Sequence, residues 1–216
     1  WGNIDWVKNA MRAVVGLIDD PAGARQVPLV LDLTRGHAVL FGASGWGKTA
    51  FMRTLIVSLA ATHSPDEFHA HVLDLGGRNL DVLKALPNVG TIIMPDESGY
   101  EERVQQLLRE LNDEIDQRKL LFNEASVQTL SEYNSSGITP PKPAILVVID
   151  NFAEFIETFA GNAAKEGDEN NILERFIGLA RQSKPYGLHF VISASRMNVL
   201  PNKLFSLFPE RLTLRL

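Results

Sequence analysis

Short apolar runs alternate along this chain with longer segments in which apolar residues recur every three or four positions. Runs of the first kind are typical of β-strands, and segments of the second kind are typical of amphipathic helices. Their alternation predicts an α/β fold, in which a mostly parallel central sheet has helices on both faces. The predicted strands are 28–33, 37–41, 69–75, 91–94, 144–149, 188–194 and 211–216.

Two of these runs, 144–149 and 188–194, are apolar at almost every position. Strands buried on both faces of a parallel sheet have this composition, whereas half-exposed strands alternate apolar and polar residues. We therefore expect both strands at the centre of the sheet.

Three segments have the periodicity of helices. The clearest has Glu, Gln, Arg and Asp between its apolar positions, which are Val104, Leu107, Leu108, Leu111, Ile115 and Phe122. The segment 49–63 is almost continuously apolar, which predicts burial against the sheet, and a third helix is expected at about 170–182. Segments 131–143, rich in Ser, Pro and Gly, and 161–171, with few apolar residues, are expected to be loops.

The 216 residues, of which 45% are hydrophobic, suffice for one sizeable α/β core and hardly for two. We therefore expect a single domain over 1–216, with residues 1–27 as a lead-in segment. The formal charge of -5 means that the surface as a whole repels phosphate backbones, which disfavours nucleic acid as a partner. The chain has no cysteine, which excludes disulfides, thiolate nucleophiles and cysteine-based zinc sites.

The sequence contains no apolar run of the roughly 20 residues that a transmembrane helix needs. Its first residues, WGNIDWVKNA, also lack the apolar core of a signal peptide. The chain begins with Trp1 and not with Met, so we expect it to be a fragment of a longer, multidomain protein. A membrane anchor would then belong to another part of that protein.

Residues 41–49 read FGASGWGKT and contain the pattern G-x-x-x-x-G-K-[ST], the signature of a phosphate-binding loop. Glycines let the backbone curl so that successive N–H groups face phosphate oxygens, and the following helix adds the positive end of its dipole. A predicted strand precedes the motif and a predicted helix follows it, as this mechanism requires. The candidate nucleotide-binding residues are Gly42, Ala43, Ser44, Gly45, Trp46, Gly47, Lys48 and Thr49.

The side chains of this motif have separate roles. Lys48 would reach the β- and γ-phosphates of ATP, and the Thr49 hydroxyl would bind the Mg²⁺ that bridges them. A second motif, ILVVIDNF, runs from a buried strand into Asp150, which would hold the water shell of the same Mg²⁺. The bulky Trp46 ring must point away from the phosphates, so it either covers protein surface or contacts the base.

The residue after Asp150 departs from the pattern of active ATPases. Such enzymes commonly have Glu or Asp there, which orients or deprotonates the attacking water. This chain has Asn151, whose amide accepts no proton at neutral pH. Loss of a general base lowers a rate about 10²–10⁴-fold, and Glu154, one helical turn further on, is the candidate substitute.

On these motifs the chain resembles the ATPase domains of the FtsK/SpoIIIE family, and within it the EccC/EssC branch, the multi-ATPase membrane proteins of type VII secretion. The resemblance covers nearly the whole sequence. It is carried by GLIDDPAGARQVPLVLDLTRGHAVLFGASGWGKT, LIVSLAATHSPDEFHAHVLDLGGRNLDVLKALPNVGTII, DQRKLLFNEASVQTLSEYN, YGLHFVISASR and the final RLTLRL.

The resemblance implies a RecA-like P-loop NTPase fold, ATP and Mg²⁺ as ligands, and assembly with tandem ATPase domains of the same chain or in a hexameric ring. It also implies the cytoplasmic domain of a membrane-anchored protein and, in the secretion branch, small helical exported proteins as substrates. FtsK-like motors end their penultimate strand with a polar sensor followed by Arg, whereas this chain has Ser195 and Arg196. The candidate catalytic residues are thus Lys48, Asp150, the degenerate Asn151, the sensor-like Ser195, and Arg196.

Three functions remain open. The first is an ATP-binding module of a type VII protein-secretion ATPase that binds nucleotide tightly and hydrolyses it weakly or not at all in isolation. The second is an active ring-forming motor whose base comes from Glu154 or from a neighbouring chain. The third is a DNA translocase, which would need a basic pore, although the loops of this sequence are acidic or neutral. The acidic charge and Asn151 favour the first.

Two other features are candidates for smaller roles. His69 and His71 lie two residues apart on a predicted strand and share a face, but the sequence shows no third metal ligand. Asp74 ends the same strand at the edge of the sheet where nucleotide is expected, so it lies either near the phosphates or in a plain turn.

Overall fold

The structure, a computed structural model, describes residues 11–160 and 171–215. The predicted loop 161–171 lies outside these residues except for its last position. Two strands, β1 (Arg12–Asp20) and β2 (Arg25–Asp32), pair antiparallel in a small separate sheet. The main sheet consists of β3 (Ala38–Phe41), β4 (Phe68–Asp74), β5 (Val89–Ile93), β6 (Ala144–Asp150), β7 (Leu188–Ala194) and β8 (Glu210–Thr213).

The six strands of the main sheet are all parallel and have the spatial order β5-β4-β6-β7-β3-β8. β6 and β7 lie at its centre and every one of their residues is buried, which confirms the position predicted from their apolar composition. Because parallel strands end at the same edge of a sheet, the ends of β3, β4, β6 and β7 lie together. The pairing of β4 with β6 aligns Asp74 with Asp150 at this edge.

Helices cover both faces of the main sheet, as predicted. Within the described residues they are α1 (Lys48–Ala60), α2 (Tyr100–Glu124), α3 (Leu130–Ser135), α4 (Phe152–Ala160), α5 (Ile172–Gln182) and α6 (Asn202–Phe205). Apolar residues of α1 pack with the small sheet and one face of the main sheet. Those of α4 and α5, with most of the α2 stripe, pack against the other face. The three helices expected from periodicity are therefore confirmed.

The small sheet is a β-hairpin that packs on α1. The backbone N–H of Val14 donates a hydrogen bond to the Ser58 hydroxyl of that helix at 2.9 Å. The strand prediction at 28–33 corresponds to β2, but β1 was not predicted, because a bulge between Val14 and Gly16 interrupts its alternation. The residues that follow Asp20 form the turn between the two strands.

The segment 131–143 is only partly a loop, so its prediction from Ser, Pro and Gly content is wrong at 131–135. The hydroxyl of Thr129 caps α3 by accepting a hydrogen bond from the backbone three residues later at 3.2 Å. Leu130 and Tyr133 are buried by the core. A cap and two buried side chains thus stabilise a short helix where the composition favours a loop.

Stability is expected to depend on pH through buried histidines. Burial lowers the pKa of His37 and of His71 to about 4, and that of His189 to about 3. The unfolded chain, whose histidines have pKa values near 6.5, therefore binds more protons than the folded chain between about pH 6.5 and 4. The free energy of unfolding should fall as the pH is lowered through this window, as measured by urea denaturation.

The matched test is the substitution His189→Phe. The slope of unfolding free energy against pH should become shallower in this variant whatever its absolute stability, because one group that gains a proton on unfolding is gone. A slope equal to that of the wild-type chain would contradict the assignment.

Candidate functional site

The loop between β3 and α1 curls in the way that the glycine pattern predicts. Gly45 and Gly47 have left-handed backbone angles, with φ of 81° and 90°, a region that favours glycine. No atom lies within 4 Å of a Cβ placed on either residue, so the loop borders open space. The helix α1 begins directly after Gly47, which directs its N-terminal N–H groups towards that space.

Lys48 folds back over the same loop. Its Nζ donates hydrogen bonds to the carbonyl oxygens of Gly42 at 2.7 Å and Ala43 at 3.0 Å. The ammonium group is therefore held at the mouth of the loop by neutral acceptors, which an anionic phosphate oxygen would replace with a stronger, charge-assisted bond.

Asp150 is held by two hydroxyl groups from different elements. The Thr49 hydroxyl on α1 donates to its Oδ2 at 2.6 Å, and the Ser193 hydroxyl on β7 donates to its Oδ1. The Ser193 oxygen also accepts the backbone N–H of Asn151 at 2.9 Å. Only 2% of Asp150 is exposed, so the geometry of this carboxylate is fixed from both sides.

Ser193 is the residue that the sequence analysis missed. The sequence analysis singled out Ser195 as a sensor-like residue instead, and Ser195 lines the cleft in front of the loop. The available signal was a serine within the apolar run LHFVISA, because a hydroxyl inside a strand buried on both faces needs a partner. Arg196 is exposed and does not line the cleft.

Asn151 has a left-handed backbone, with φ of 63°, which asparagine tolerates better than most residues. Its side-chain amide donates to the Leu75 carbonyl at 3.4 Å. Glu154, the candidate substitute base, is half-buried on α4, and its backbone N–H donates to the Asn151 carbonyl at 3.0 Å. Among the described residues, Glu154 is not part of the cleft lining.

The cleft itself has a volume of about 520 Å³. Along with the phosphate loop and the Asp150 end of β6, it includes a wall formed by Arg53 of α1 and by a turn after β4. The lining residues are Ser44, Gly45, Gly47, Lys48, Thr49, Ala50, Arg53, Gly76, Asn79, Asp150, Asn151 and Ser195. The sequence motifs did not predict the wall formed by Arg53, Gly76 and Asn79, because it comes from the packing of α1 against that turn.

Asp74 lies behind this wall and does not line the cleft. It is completely buried, and its Oδ2 accepts the backbone N–H of Leu80 at 2.7 Å. Burial raises the pKa of Asp74, and the nearby negative charge of Asp150 raises it further. Asp74 thus anchors the turn of residues 75–80.

Trp46 points away from the loop interior, as its size requires. Its ring is 48% exposed, and the guanidinium carbon of Arg215 lies 4.6 Å from the ring centroid, an arrangement typical of a cation–π contact. The Arg215 carbonyl also accepts the backbone N–H of Ala43 at 2.9 Å. The residues after β8 therefore brace the phosphate loop from outside.

The oxygen atoms at the cleft fit a magnesium nucleotide. The Thr49 hydroxyl and the Asp150 carboxylate lie in contact and supply the hard oxygen donors that Mg²⁺ prefers. Within the described ranges, no group of three or more His, Cys, Asp or Glu side chains could hold a metal, so His69 and His71 gain no third ligand.

In this parallel sheet β3 leads through the glycine loop into α1, and the carboxylate at the end of β6, two strands away, contacts that helix. This arrangement defines a P-loop ATPase domain. The chain belongs to the FtsK/SpoIIIE family, whose model matches residues 5–216.

The relatives of this chain include proteins of type VII secretion. The protein EssC of Staphylococcus aureus strain NCTC 8325 / PS 47 is 30% identical over 194 residues, which is 88% of this chain and 12% of EssC. The cytoplasmic domain of the Thermomonospora curvata type VII secretion ATPase EccC superposes with a TM-score of 0.83 at 27% identity, over 100% of this chain and 24% of that one. ATPases 2 and 3 of that EccC, in complex with a signal sequence peptide, superpose with a TM-score of 0.82 at 27% identity, over 100% of this chain and 38% of that one.

This chain therefore spans about an eighth of the length of EssC. None of the helices in the described residues has the length and apolar character needed to cross a membrane.

The role of Ser193 can be tested by removing its hydroxyl. Ser193→Ala should lower the free energy of unfolding by about 1–3 kcal/mol, because Asp150 and the Asn151 N–H lose a buried partner. The half-exposed Ser195→Ala is the control and should change it by about 0.5 kcal/mol or less. Urea denaturation measures both, and equal losses would contradict the assignment.

Proposed function

We propose that this chain is an ATP-binding domain of a type VII protein-secretion ATPase, which binds Mg-ATP tightly and hydrolyses it weakly or not at all in isolation. The observation that carries the proposal is the 2.6 Å bond between Thr49 and Asp150, two residues 101 positions apart. It joins the phosphate loop to the strand-end carboxylate, and a magnesium nucleotide needs both.

Each group of the site has a task in this proposal. The backbone N–H groups of the loop and of the first turn of α1 bind phosphate oxygens. Lys48 exchanges the carbonyl oxygens of Gly42 and Ala43 for those of the phosphates. Thr49 and Asp150 hold Mg²⁺, whose charge offsets that of the bound phosphates.

The proposal of weak hydrolysis rests on Asn151. Its amide cannot act as a base, and its left-handed backbone and its bond to Leu75 keep it in place at the end of β6. No Asp or Glu other than Asp150 lines the cleft in the part of the chain that the structure describes. Nucleotide then acts mainly as a ligand that stabilises the folded domain.

The relatives support a place in protein secretion. EssC and EccC contain several ATPase domains, and one EccC structure holds a signal sequence peptide. By this analogy, the chain works on the cytoplasmic side of a membrane-anchored protein, beside tandem ATPase domains or in a ring, and its parent protein handles small helical exported proteins. The net charge of -5 favours this function over DNA translocation.

The first test is the substitution Lys48→Ala. Loss of the ammonium removes the charge-assisted bonds to phosphate, so affinity for Mg-ATP should fall by at least about 10²-fold in calorimetric titration. Lys84→Ala, at an exposed lysine outside the cleft lining, is the matched control and should bind as the wild-type chain does. Unchanged affinity in Lys48→Ala would remove the basis of the site.

The second test restores a carboxylate with Asn151→Asp, which keeps the side-chain shape and tolerates the left-handed backbone. The turnover of radiolabelled Mg-ATP should rise about 10²–10⁴-fold, because that is what a general base contributes. Asn151→Ala removes the amide without adding a base and should not raise it.

The same assay distinguishes the alternative functions. Intact ATP recovered on the wild-type chain supports a nucleotide-holding domain. Repeated release of ADP by the wild-type chain, lost in Lys48→Ala, would instead indicate a motor with another base. Binding of duplex DNA that strengthens steeply as salt is lowered would indicate a translocase.

A further inference from the structure

Arg53 is a cation in the cleft that no part of the phosphate-loop motif includes. It lies four residues after Thr49 on α1, and residues at this spacing share one face of a helix, about 6 Å apart along the axis. Helical side chains lean towards the N-terminus of their helix. The Arg53 side chain is thus directed towards the turn that carries Thr49, and it lines the same cleft.

The guanidinium group is held in this position by the turn after β4, which forms the same wall of the cleft. Its Nε donates to the Asn79 carbonyl at 2.8 Å, and its Nη2 donates to the same oxygen. A guanidinium carries five N–H donors, so this single acceptor leaves further donors for a ligand. An arginine held in place by a backbone carbonyl binds phosphate at a lower entropic cost than a free side chain.

The turn that holds Arg53 is itself built against Asp150. The buried carboxylate of Asp74 ties the end of the turn at Leu80. At its start, a Cβ added to Gly76 would lie 3.1 Å from the Asp150 Oδ2. The anchor of Arg53 and the carboxylate assigned to Mg²⁺ therefore meet at the same end of the cleft.

The contacts within the cleft indicate what Arg53 would meet. Lys48 bonds to the carbonyl oxygens of the loop, whereas Thr49 bonds to the Asp150 Oδ2, the oxygen against which the turn at Gly76 is built. Thr49 and Asp150 would hold the Mg²⁺ of a bound nucleotide, and its charge would favour the terminal phosphates near these two residues. Lys48 and Arg53 are the two basic residues among the described lining residues.

We propose that Arg53 binds the terminal phosphate of the nucleotide and thereby makes this domain prefer ATP over ADP. The proposal rests on the nucleotide binding proposed above. ATP carries one more phosphate and more negative charge than ADP, and Arg53 is the cation placed to reach that group. Lys48 would reach both the β- and the γ-phosphate, so part of its contribution goes to a group that both nucleotides carry.

The test compares the binding of Mg-ATP and Mg-ADP, each with a fluorescent label on the ribose, by anisotropy titration of the 216-residue chain. Arg53→Gln removes the charge but keeps a donor for the Asn79 carbonyl. Its dissociation constant for ATP should rise about tenfold or more, equivalent to about 1.4 kcal/mol, while that for ADP changes less than about twofold. Arg53→Lys keeps the charge without the planar fork, so its ATP preference should lie between those of the wild type and Arg53→Gln.

Arg109→Gln is the matched control, because Arg109 is an exposed arginine on α2 outside the cleft lining. It should leave both affinities unchanged. A loss in Arg53→Gln that is equal for ATP and ADP, or no loss for either, would overturn the proposal. If Arg53→Gln unfolds, Arg53→Lys decides instead: a weaker preference for ATP than in the wild-type chain supports the proposal, and an unchanged preference would overturn it.

The two sets of variants also distinguish a wrong role for Arg53 from a wrong proposed function. If Lys48→Ala loses nucleotide binding and Arg53→Gln keeps the ATP preference, only the role of Arg53 is wrong. If the wild-type chain binds neither nucleotide, the proposed function fails and the role of Arg53 fails with it.

Discussion

The carboxylate of Asp150 is held between a hydroxyl of α1 and a hydroxyl of β7, and the rest of the site depends on this arrangement. A charged group that is only 2% exposed must have partners, because desolvation of an unpaired charge costs several kcal/mol. The two hydroxyls supply them and tie the end of the central strand to the first turn of the helix after the phosphate loop. The parallel sheet makes this possible, since all of its strands end at one edge.

The residues at this edge of the sheet also bear on the difference between binding a nucleotide and hydrolysing it. The groups that we propose bind phosphate and metal are mutually oriented, while the position where an active enzyme has its base carries Asn151. Asparagine suits the left-handed backbone at this point and bonds to the Leu75 carbonyl just after β4, and its amide is no general base. In the proposed function, the domain would differ between its ATP-bound and ADP-bound states through the groups that contact the terminal phosphate. Arg53 is the group that we infer for this role.

Much of the fold follows from patterns within short stretches of sequence. The runs that became β6 and β7 were apolar at almost every position, and the α2 stripe repeated over several turns, so local pattern and tertiary position agree. The hydrophobic pattern did not predict elements that are stabilised by contacts with other parts of the chain or by capping. β1 has an interrupted alternation and is held by pairing with β2 and by packing on α1, and α3 is held by a cap and two buried side chains within a polar segment.

The sequence by itself determined the α/β class, the phosphate loop, the carboxylate at Asp150 and the missing base at Asn151, because each is a local pattern of residue types whose chemistry needs no distant contact. Only the tertiary structure decided that Ser193 holds Asp150, that Asp74 anchors a turn behind the cleft, and that Arg53 faces into it. These roles depend on which side chains from remote segments meet. These contacts cannot be predicted from the spacing of residues along the chain, because they depend on strand register and on how the helices pack on the sheet.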